Sequence, residues 1–324
     1  MNTAKFAALD LHSDILTDVY RRRAAGERRI IASRFLPTLQ LGGVCAICCS
    51  IWIEPRYRRN GVGYVMKVLN CLAAEIRETG AKIELCRTTQ ELEATVSAGK
   101  LAILLSIEGL GAARGLPALL DLLCMIGVQM VSLTWNERNG LAAGVGCKAP
   151  VGLTRAGKHT IRELGNLGIL LDVSHLNERA FWDAMDEARG PVLASHSNCK
   201  SLCDVDRNLN DDQIRAIARS GGIIGVNAWP EFVDPREPTI ERFVDHIEHI
   251  ASLVGSSRVS LGLDFCDYLS GDLTSGVVKQ TKGLEDHSKL SHLAELLLKR
   301  GFHEEEVRGI MFSNALELLR SRMG

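Results

Sequence analysis

Leu167-Gly-Ile-Leu-Leu-Asp-Val-Ser-His175 is an apolar run that stops abruptly on a histidine. A second run, Gly190-Pro-Val-Leu-Ala-Ser-His196, does the same. Residues 177–189 between them carry a helical pattern. Strand, helix, strand is a β-α-β unit, whose two strands lie parallel with their C-terminal ends facing the same way. The two imidazoles are therefore expected as neighbours on one rim. A single histidine at a strand end is commonly a cap or a core residue, so the rest of the chain has to decide between structure and chemistry.

Short apolar runs alternate with helical patterns on both sides of this unit. Upstream lie Phe6-Ala-Ala-Leu-Asp-Leu11, Gly43-Val-Cys-Ala-Ile-Cys-Cys-Ser-Ile-Trp52, Leu101-Ala-Ile-Leu-Leu-Ser-Ile-Glu108 and Val128-Gln-Met-Val-Ser-Leu-Thr134. Downstream lie Gly222-Ile-Ile-Gly-Val-Asn227 and Val259-Ser-Leu-Gly-Leu-Asp264. Helices are expected near 15–29, 64–79, from 116, and over 154–167, 211–220 and 240–254, with two more near 288–300 and 304–320. Eight strands, each followed by a helix or helix-bearing connection, predict an α/β fold, a (β/α)8 TIM barrel with additional C-terminal helices. Ile, Leu and Val without strict alternation suit parallel strands buried on both faces. An open doubly wound sheet could also hold eight strands, but it would not gather so many strand ends at one place. No repeat or composition break divides residues 1–324, so one barrel domain is expected.

The net charge of −1 offers no electrostatic case for nucleic acid or an anionic membrane. The Arg-rich stretches 21–29 and 56–59 read as solvated faces. No apolar run reaches transmembrane length, and the N-terminus lacks a signal-peptide pattern. A cytoplasmic protein is the expectation. Cys45 and Cys48 form a CxxC pair inside an apolar strand, where their odd separation places them on opposite faces. They are read, like most of the ten cysteines, as buried small hydrophobes.

The polar residues at the strand ends form a set. The first strand offers His12 and Asp14, two residues apart and so on one face of an extended segment. The third offers Glu108, the fifth His175, the sixth His196 and the eighth Asp264. All fall at the C-terminal rim, where barrel enzymes place their chemistry. Three imidazoles and three carboxylates converging there suit zinc or a similar divalent ion. Six groups exceed what one tetrahedral ion needs, which favours two metals and a bridging carboxylate. His159, His246 and His249 fall in helices and read as structural or exposed; His287, His292 and His303 read as surface helix residues.

An ordered series of short motifs resembles the membrane dipeptidase (renal dipeptidase) family of zinc peptidases, within the amidohydrolase-like metal-dependent barrels. The pieces are Asp10-Leu-His-Ser-Asp14, Ser106-Ile-Glu-Gly109, Leu133-Thr-Trp-Asn136, Gly152-Leu-Thr-Arg-Ala-Gly157, Leu171-Asp-Val-Ser-His175, Ser195-His-Ser197, Asp206-Arg-Asn208 and Gly262-Leu-Asp-Phe265. Any one is weak; the series in this order is specific. The resemblance implies that His12, Asp14 and Glu108 hold one Zn2+ and that Glu108, His175 and His196 hold a second, with Glu108 bridging. It further implies that Arg207 binds a substrate carboxylate, that Asp264 handles the proton, and that a metal-activated hydroxide cleaves a dipeptide with a free C-terminus. A homodimer is also implied by resemblance alone.

The chain departs from the family at two positions. Trp135 stands where many members have a histidine that contacts substrate, and an indole donates one hydrogen bond but does not titrate. The family's Asp-Phe-Asp-Gly run is here Asp264-Phe-Cys-Asp267. These changes leave the implied ligands intact and bear on substrate preference. They also keep two other readings open: a metal hydrolase of another amide, lactam or N-acyl amino acid, and a barrel that binds a ligand without catalysis.

Overall fold

The computed structural model describes residues 5–266 and 280–323. Asp267 therefore lies outside the described residues. Among the described residues there are nine strands: β1 (Ala8–Ser13), β2 (Val44–Trp52), β3 (Ile83–Leu85), β4 (Leu101–Glu108), β5 (Val128–Ser132), β6 (Leu170–Asp172), β7 (Val192–Leu193), β8 (Ile224–Val226) and β9 (Val259–Leu261). They pair in the order β7-β6-β5-β4-β2-β1-β9-β8, all parallel. The two ends of that path meet through an Ala194–Ile224 bridge. There Ala194 N–H donates to Ile223 O at 3.1 Å and Gly225 N–H donates to Ala194 O at 2.8 Å. The result is the eight-stranded parallel barrel expected. β3 is additional and pairs with β4 off the barrel path; three residues are too few to show a period.

All eight residues of β4 are buried, because helices cover its outer face and side chains fill the barrel within. Leu9, Leu11, Ala46, Ala102, Leu104 and Met130 share the interior with Ala315, Leu316 and Leu319 of the C-terminal helix (Asn314–Met323). Apolar residues thus occupy the lower part of the barrel. On β4 the face bearing Ala102 and Leu104 continues upward to Ser106 and Glu108, so polarity begins where the rim begins. Cys48 belongs to this interior, whereas Cys45 is half-buried and its thiol donates to Ala8 O at 3.5 Å. All ten cysteines are free, in keeping with their reading as small hydrophobes.

The helix over Ile240–Val254 agrees with expectation to the residue. That over Ile15–Ala24 is shorter than expected, stopping before Gly26 at φ 96°, a left-handed turn that glycine adopts without strain. The segment expected as one helix near 304–320 is divided by a π-helical turn, Gly309–Ser313. The arginines of 21–29 and 56–59 are not simply solvated. Arg21 and Arg56 pair with buried Glu54, and Arg23 pairs with fully buried Glu75 and with Glu78. No helix among the described residues is long and apolar enough to cross a membrane.

Candidate metal centre

Leu9 and Leu11 point into the barrel, so strict alternation along β1 would send His12 away from it. The pairing of β1 with β2 slips between Asp10 and Ser13, and such an irregularity re-aims a side chain. Asp14 is not extended either; it caps the N-terminus of the Ile15–Ala24 helix with φ −90° and ψ 20°. His12 and Asp14 do converge, but through a strand irregularity and a helix start rather than through a shared strand face. The two histidine strands are also shorter than expected. β6 ends at Asp172 and β7 at Leu193, three residues before His175 and His196. His175 (φ 70°) and Asp264 (φ 53°) adopt left-handed backbone, uncommon for residues with a Cβ and concentrated at functional sites. Gly262 lets the loops close in: a Cβ there would lie 1.7 Å from Ser195 O.

The side chains meet at one point. Glu108 Oε1 lies 2.8 Å from His175 Nε2 and 3.8 Å from His196 Nε2. Glu108 Oε2 lies 3.6 Å from His12 Nε2, which is itself 3.9 Å from Asp264 Oδ1. His175 Nε2 and His196 Nε2 face each other at 2.9 Å. Each Nδ1 has its own partner, Asn136 Oδ1 at 2.8 Å for His175 and Ser195 Oγ at 2.6 Å for His196. Asp172 Oδ2 accepts the Ser195 hydroxyl at 2.5 Å, which leaves Ser195 Oγ to accept from His196 Nδ1–H. Both Nδ1 atoms then carry the protons, and two Nε2 lone pairs point at one another. Buried His12 Nε2 and Asp14 Oδ1 have no hydrogen-bond partner among the described residues.

Electrostatics favour the same protonation pattern. Burial, with Arg207 adding to it, pulls His12 down to about 3. Burial also holds His175 and His196 well below the usual imidazole range, helped by Arg207 and His12. The imidazoles are neutral, which is the ligand form. Burial pushes Asp14 and Glu108 well above the usual carboxylate range, and neighbouring carboxylates, Asp264 among them, push further. Asp264 is raised by burial to about 6, against the pull of Arg207 and of the Asn227 amide. Lone pairs with no donor, and three carboxylates crowded around a single guanidinium, are what a divalent cation relieves, so the donor set fits a metal of the zinc type.

Among the described residues, ligand atoms fall into three groups within 4.8 Å: Glu108, His175 and His196; His12, Asp14 and Asp264; and His12, Asp172 and His196. The first is an expected set. In the second, Asp264 stands where Glu108 was expected, although Glu108 is also near His12. Asp172 of the third is already engaged, accepting from Ser174 N, Ser195 N and Ser195 Oγ. Its geometry is that of an orienting group rather than a ligand.

Arg207 is buried behind the cluster, with Nη1 donating to Ser197 Oγ and Nη2 to His196 O, both at 2.7 Å, and Nε unpartnered. Trp135 is half-buried, 5.2 Å from the Trp52 ring. The two do not share a cavity. Trp135 lines one of about 340 Å³ and Arg207 another of about 500 Å³, and His175 lines both. Cys266, the departure from the family run, donates its thiol to Asp264 Oδ1 at 3.4 Å.

Several residues of the site went unread in the sequence. Ser195, Asn136 and Asn227, which donates to Asp264 Oδ2 at 3.1 Å, each touch a candidate ligand or Asp264, and Asp172 reaches His196 through Ser195. Asp172 and Ser195 were in view, three residues and one residue before a strand-end histidine. His287 corrects a reading: it is buried, not a surface residue, and hydrogen-bonds through Nε2 to Asp10 Oδ2 at 2.8 Å. Asp10 Oδ1 in turn accepts from His12 N and Leu263 N, tying β1 to the loop that carries Asp264. His246 is buried and structural, its Nδ1 accepting from Cys199 N.

A model of the family described as membrane dipeptidase (peptidase family M19) matches residues 3–322. Dipeptidase verJ of Clonostachys rogersoniana is 28% identical over 258 residues, 79% of this chain and 64% of that protein. Dipeptidase tcpJ of Claviceps purpurea is 30% identical over 243 residues, 74% of this chain and 55% of that protein. The chain thus spans somewhat over half the length of these two relatives. A solved structure described as dipeptidase AC, a metallopeptidase of family M19, superposes with a TM-score of 0.87 at 26% identity, covering 98% of this chain and 99% of that one.

Proposed function

The chain belongs to the membrane dipeptidase family, peptidase family M19, and from that premise we propose that it is a binuclear zinc dipeptidase acting on dipeptides with a free C-terminal carboxylate. The observation that carries this reading is the pair of Nε2 atoms 2.9 Å apart beside Glu108, with unpartnered His12 Nε2 and Asp14 Oδ1 across the same carboxylate. His12, Asp14 and Glu108 would hold one ion, and Glu108, His175 and His196 the other. Bound there, divalent ions supply Lewis acidity, polarising a scissile carbonyl and making water acidic enough to act near neutral pH.

The protein's own groups account for the rest. Asp264 takes a proton and returns it to the leaving amine. Asn227 and Cys266 hold its two oxygens in place for that exchange. Asn136 and the Asp172–Ser195 pair keep the imidazole protons on Nδ1. Arg207 is the buried cation that meets the substrate carboxylate, with its Nε–H still unpartnered. Its Nη2 contact to His196 O couples that carboxylate to the metal loop. Trp135 is a substrate contact that supplies a wall and one N–H in place of a titrating imidazole. That replacement is the observation favouring a broader metal-dependent amide hydrolase as the second reading.

Elemental analysis and hydrolysis of matched free-acid and amidated dipeptides test the assignment together. Two equivalents of zinc and much faster cleavage of the free acid are expected. A stoichiometry fixed at one under zinc saturation removes the binuclear site. Equal cleavage of both peptides replaces the dipeptidase with the amide hydrolase, and absence of metal leaves a binding protein.

A further inference from the structure

The two cavities that meet at His175 differ in chemistry. The larger carries Arg207, Lys148, Arg179 and Lys200 on its walls together with Glu178 and Asp206, and Asp206 pairs with both lysines, which leaves Arg207 as its buried cation. The smaller is walled by Trp52, Trp135, Trp229 and Phe232. Three of the chain's four tryptophans are there although aromatic residues are only 5% of the sequence, so the enrichment belongs to the cavity and not to the composition. Asp14 and Glu108 on its floor are carboxylates that would hold metal, so the charges left to meet a substrate there are those of Asp264 and of exposed Glu231, both negative. Phe232 lies between the two spaces, with its ring 5.7 Å from the Arg207 guanidinium.

A dipeptide is a zwitterion with its cation at the N-terminal residue and its anion at the other end. Laid across His175 with the carboxylate on the Arg207 side, it puts its amino-terminal residue among the indoles. There an ammonium meets the Glu231 carboxylate and aromatic faces, both of which attract cations. An apolar side chain at that position gains burial against rings. An acidic one meets the like charge of Glu231.

We propose that the smaller cavity is the subsite for the substrate's amino-terminal residue, and that it selects dipeptides with a free α-amine and a large apolar or aromatic first side chain, rejecting Asp and Glu there. This rests on the dipeptidase reading, and Trp229, Trp135 and Glu231 are its specificity-determining residues. Buried Trp52 Nε1, which has no acceptor among the described residues, adds a donor to the wall.

The test is kcat/KM for Xaa-Ala dipeptides on the zinc-loaded enzyme. Trp-Ala, Phe-Ala and Leu-Ala should each exceed Gly-Ala by about tenfold or more, within the discrimination an apolar pocket supplies. Asp-Ala and Glu-Ala should fall below Gly-Ala, and N-acetylating Phe-Ala should raise KM sharply. Trp229→Leu, at a half-buried position, should compress the Trp-Ala to Gly-Ala ratio, and Glu231→Gln should raise KM for free amines more than for N-acetyl peptides. Dipeptides cleaved with no preference for bulk, or with acidic first residues accepted equally, overturn the subsite and leave the dipeptidase standing. No cleavage of any dipeptide overturns the dipeptidase reading and the subsite with it. The wild-type series decides even if a tryptophan variant fails to fold.

Discussion

Replacing Asp172 with asparagine should damage metal binding out of proportion to its size. Asp172 Oδ1 accepts two backbone donors, Ser174 N and Ser195 N, each at 3.0 Å. An asparagine must therefore turn its carbonyl oxygen to that position, because its NH2 group has nothing to offer two N–H donors. The NH2 then takes the place of Oδ2, 2.5 Å from Ser195 Oγ, and becomes a donor to it. The serine hydroxyl, no longer able to give its proton to Asp172, turns to its nearest remaining acceptor, His196 Nδ1 at 2.6 Å, ahead of Ser174 Oγ and His12 Nδ1 at 3.5 Å. A His196 ring that accepts at Nδ1 carries its own proton on Nε2, and an Nε2 that carries a proton is no ligand. Groups that orient a metal-binding histidine typically cost 10- to 100-fold in metal affinity when changed, about 1.4–2.7 kcal/mol. Asp172→Asn should lie at the upper end because it inverts the tautomer. Ser195→Ala should lie at the lower end, because it strands Nδ1–H but leaves the Nε2 lone pair free. Competition with a zinc-binding dye measures both affinities, and only one of the two ions should weaken. Melting of the metal-free proteins serves as control, since asparagine keeps the shape and the backbone acceptor. Wild-type affinity in Asp172→Asn, or a larger loss in Ser195→Ala, would refute the proton assignment.

Three further outcomes follow from the geometry. Asp264→Asn should keep both metals and lower kcat by roughly 10²–10⁴, the range for a general acid–base group; loss of an ion instead would make Asp264 a ligand, as its place beside His12 and Asp14 allows. Arg207→Met should weaken hydrolysis of a free-acid dipeptide by about 2–5 kcal/mol, the usual cost of stranding one partner of a buried charge pair, and barely change an amidated one; zinc content measured alongside separates this from slippage of the His196 carbonyl that Arg207 also holds. His287→Leu should lower stability in urea by about 1–3 kcal/mol by leaving Asp10 Oδ2 buried without its donor, and an unchanged midpoint would show that the Asp10–His287 bond contributes nothing net.

The barrel was legible because parallel strands buried on both faces leave continuous Ile/Leu/Val runs, and because each helix interrupts them with a different period. β4 and the Ile240–Val254 helix are the clear cases. β3 was not legible, being three residues long, and neither was the π-helical break at Gly309–Ser313, which keeps a helical pattern on both sides. Among the residues of the candidate site, those with distinctive chemistry at strand ends were the ones whose convergence could be read: His12, Asp14, Glu108, His175, His196 and Asp264. The residues that orient them were not, because Asp172, Ser195, Asn136 and Asn227 are residue types that turns and caps use everywhere. His287 was hidden for another reason. Its partner Asp10 lies at the opposite end of the chain, and no local pattern reports a contact of that span.

Strict strand logic would also have misplaced the chemistry it found. A strand continuing regularly past Asp172 would put successive residues on opposite faces and carry His175 up and out of the barrel mouth. The chain instead bends at His175 into left-handed backbone, at a cost of about 1–3 kcal/mol for a residue with a Cβ. The bend is held by Val145 N, which donates to His175 O at 2.9 Å, and by Asn136 on the ring. Asp264 is held likewise: its backbone N–H donates to His12 O at 3.2 Å while Asn227 takes one carboxylate oxygen. These two bends turn a neutral imidazole and a raised carboxylate toward Glu108 from opposite sides of the rim. The strain therefore sits at the two places where the backbone must leave the regular barrel for six donors from five strands to reach one another.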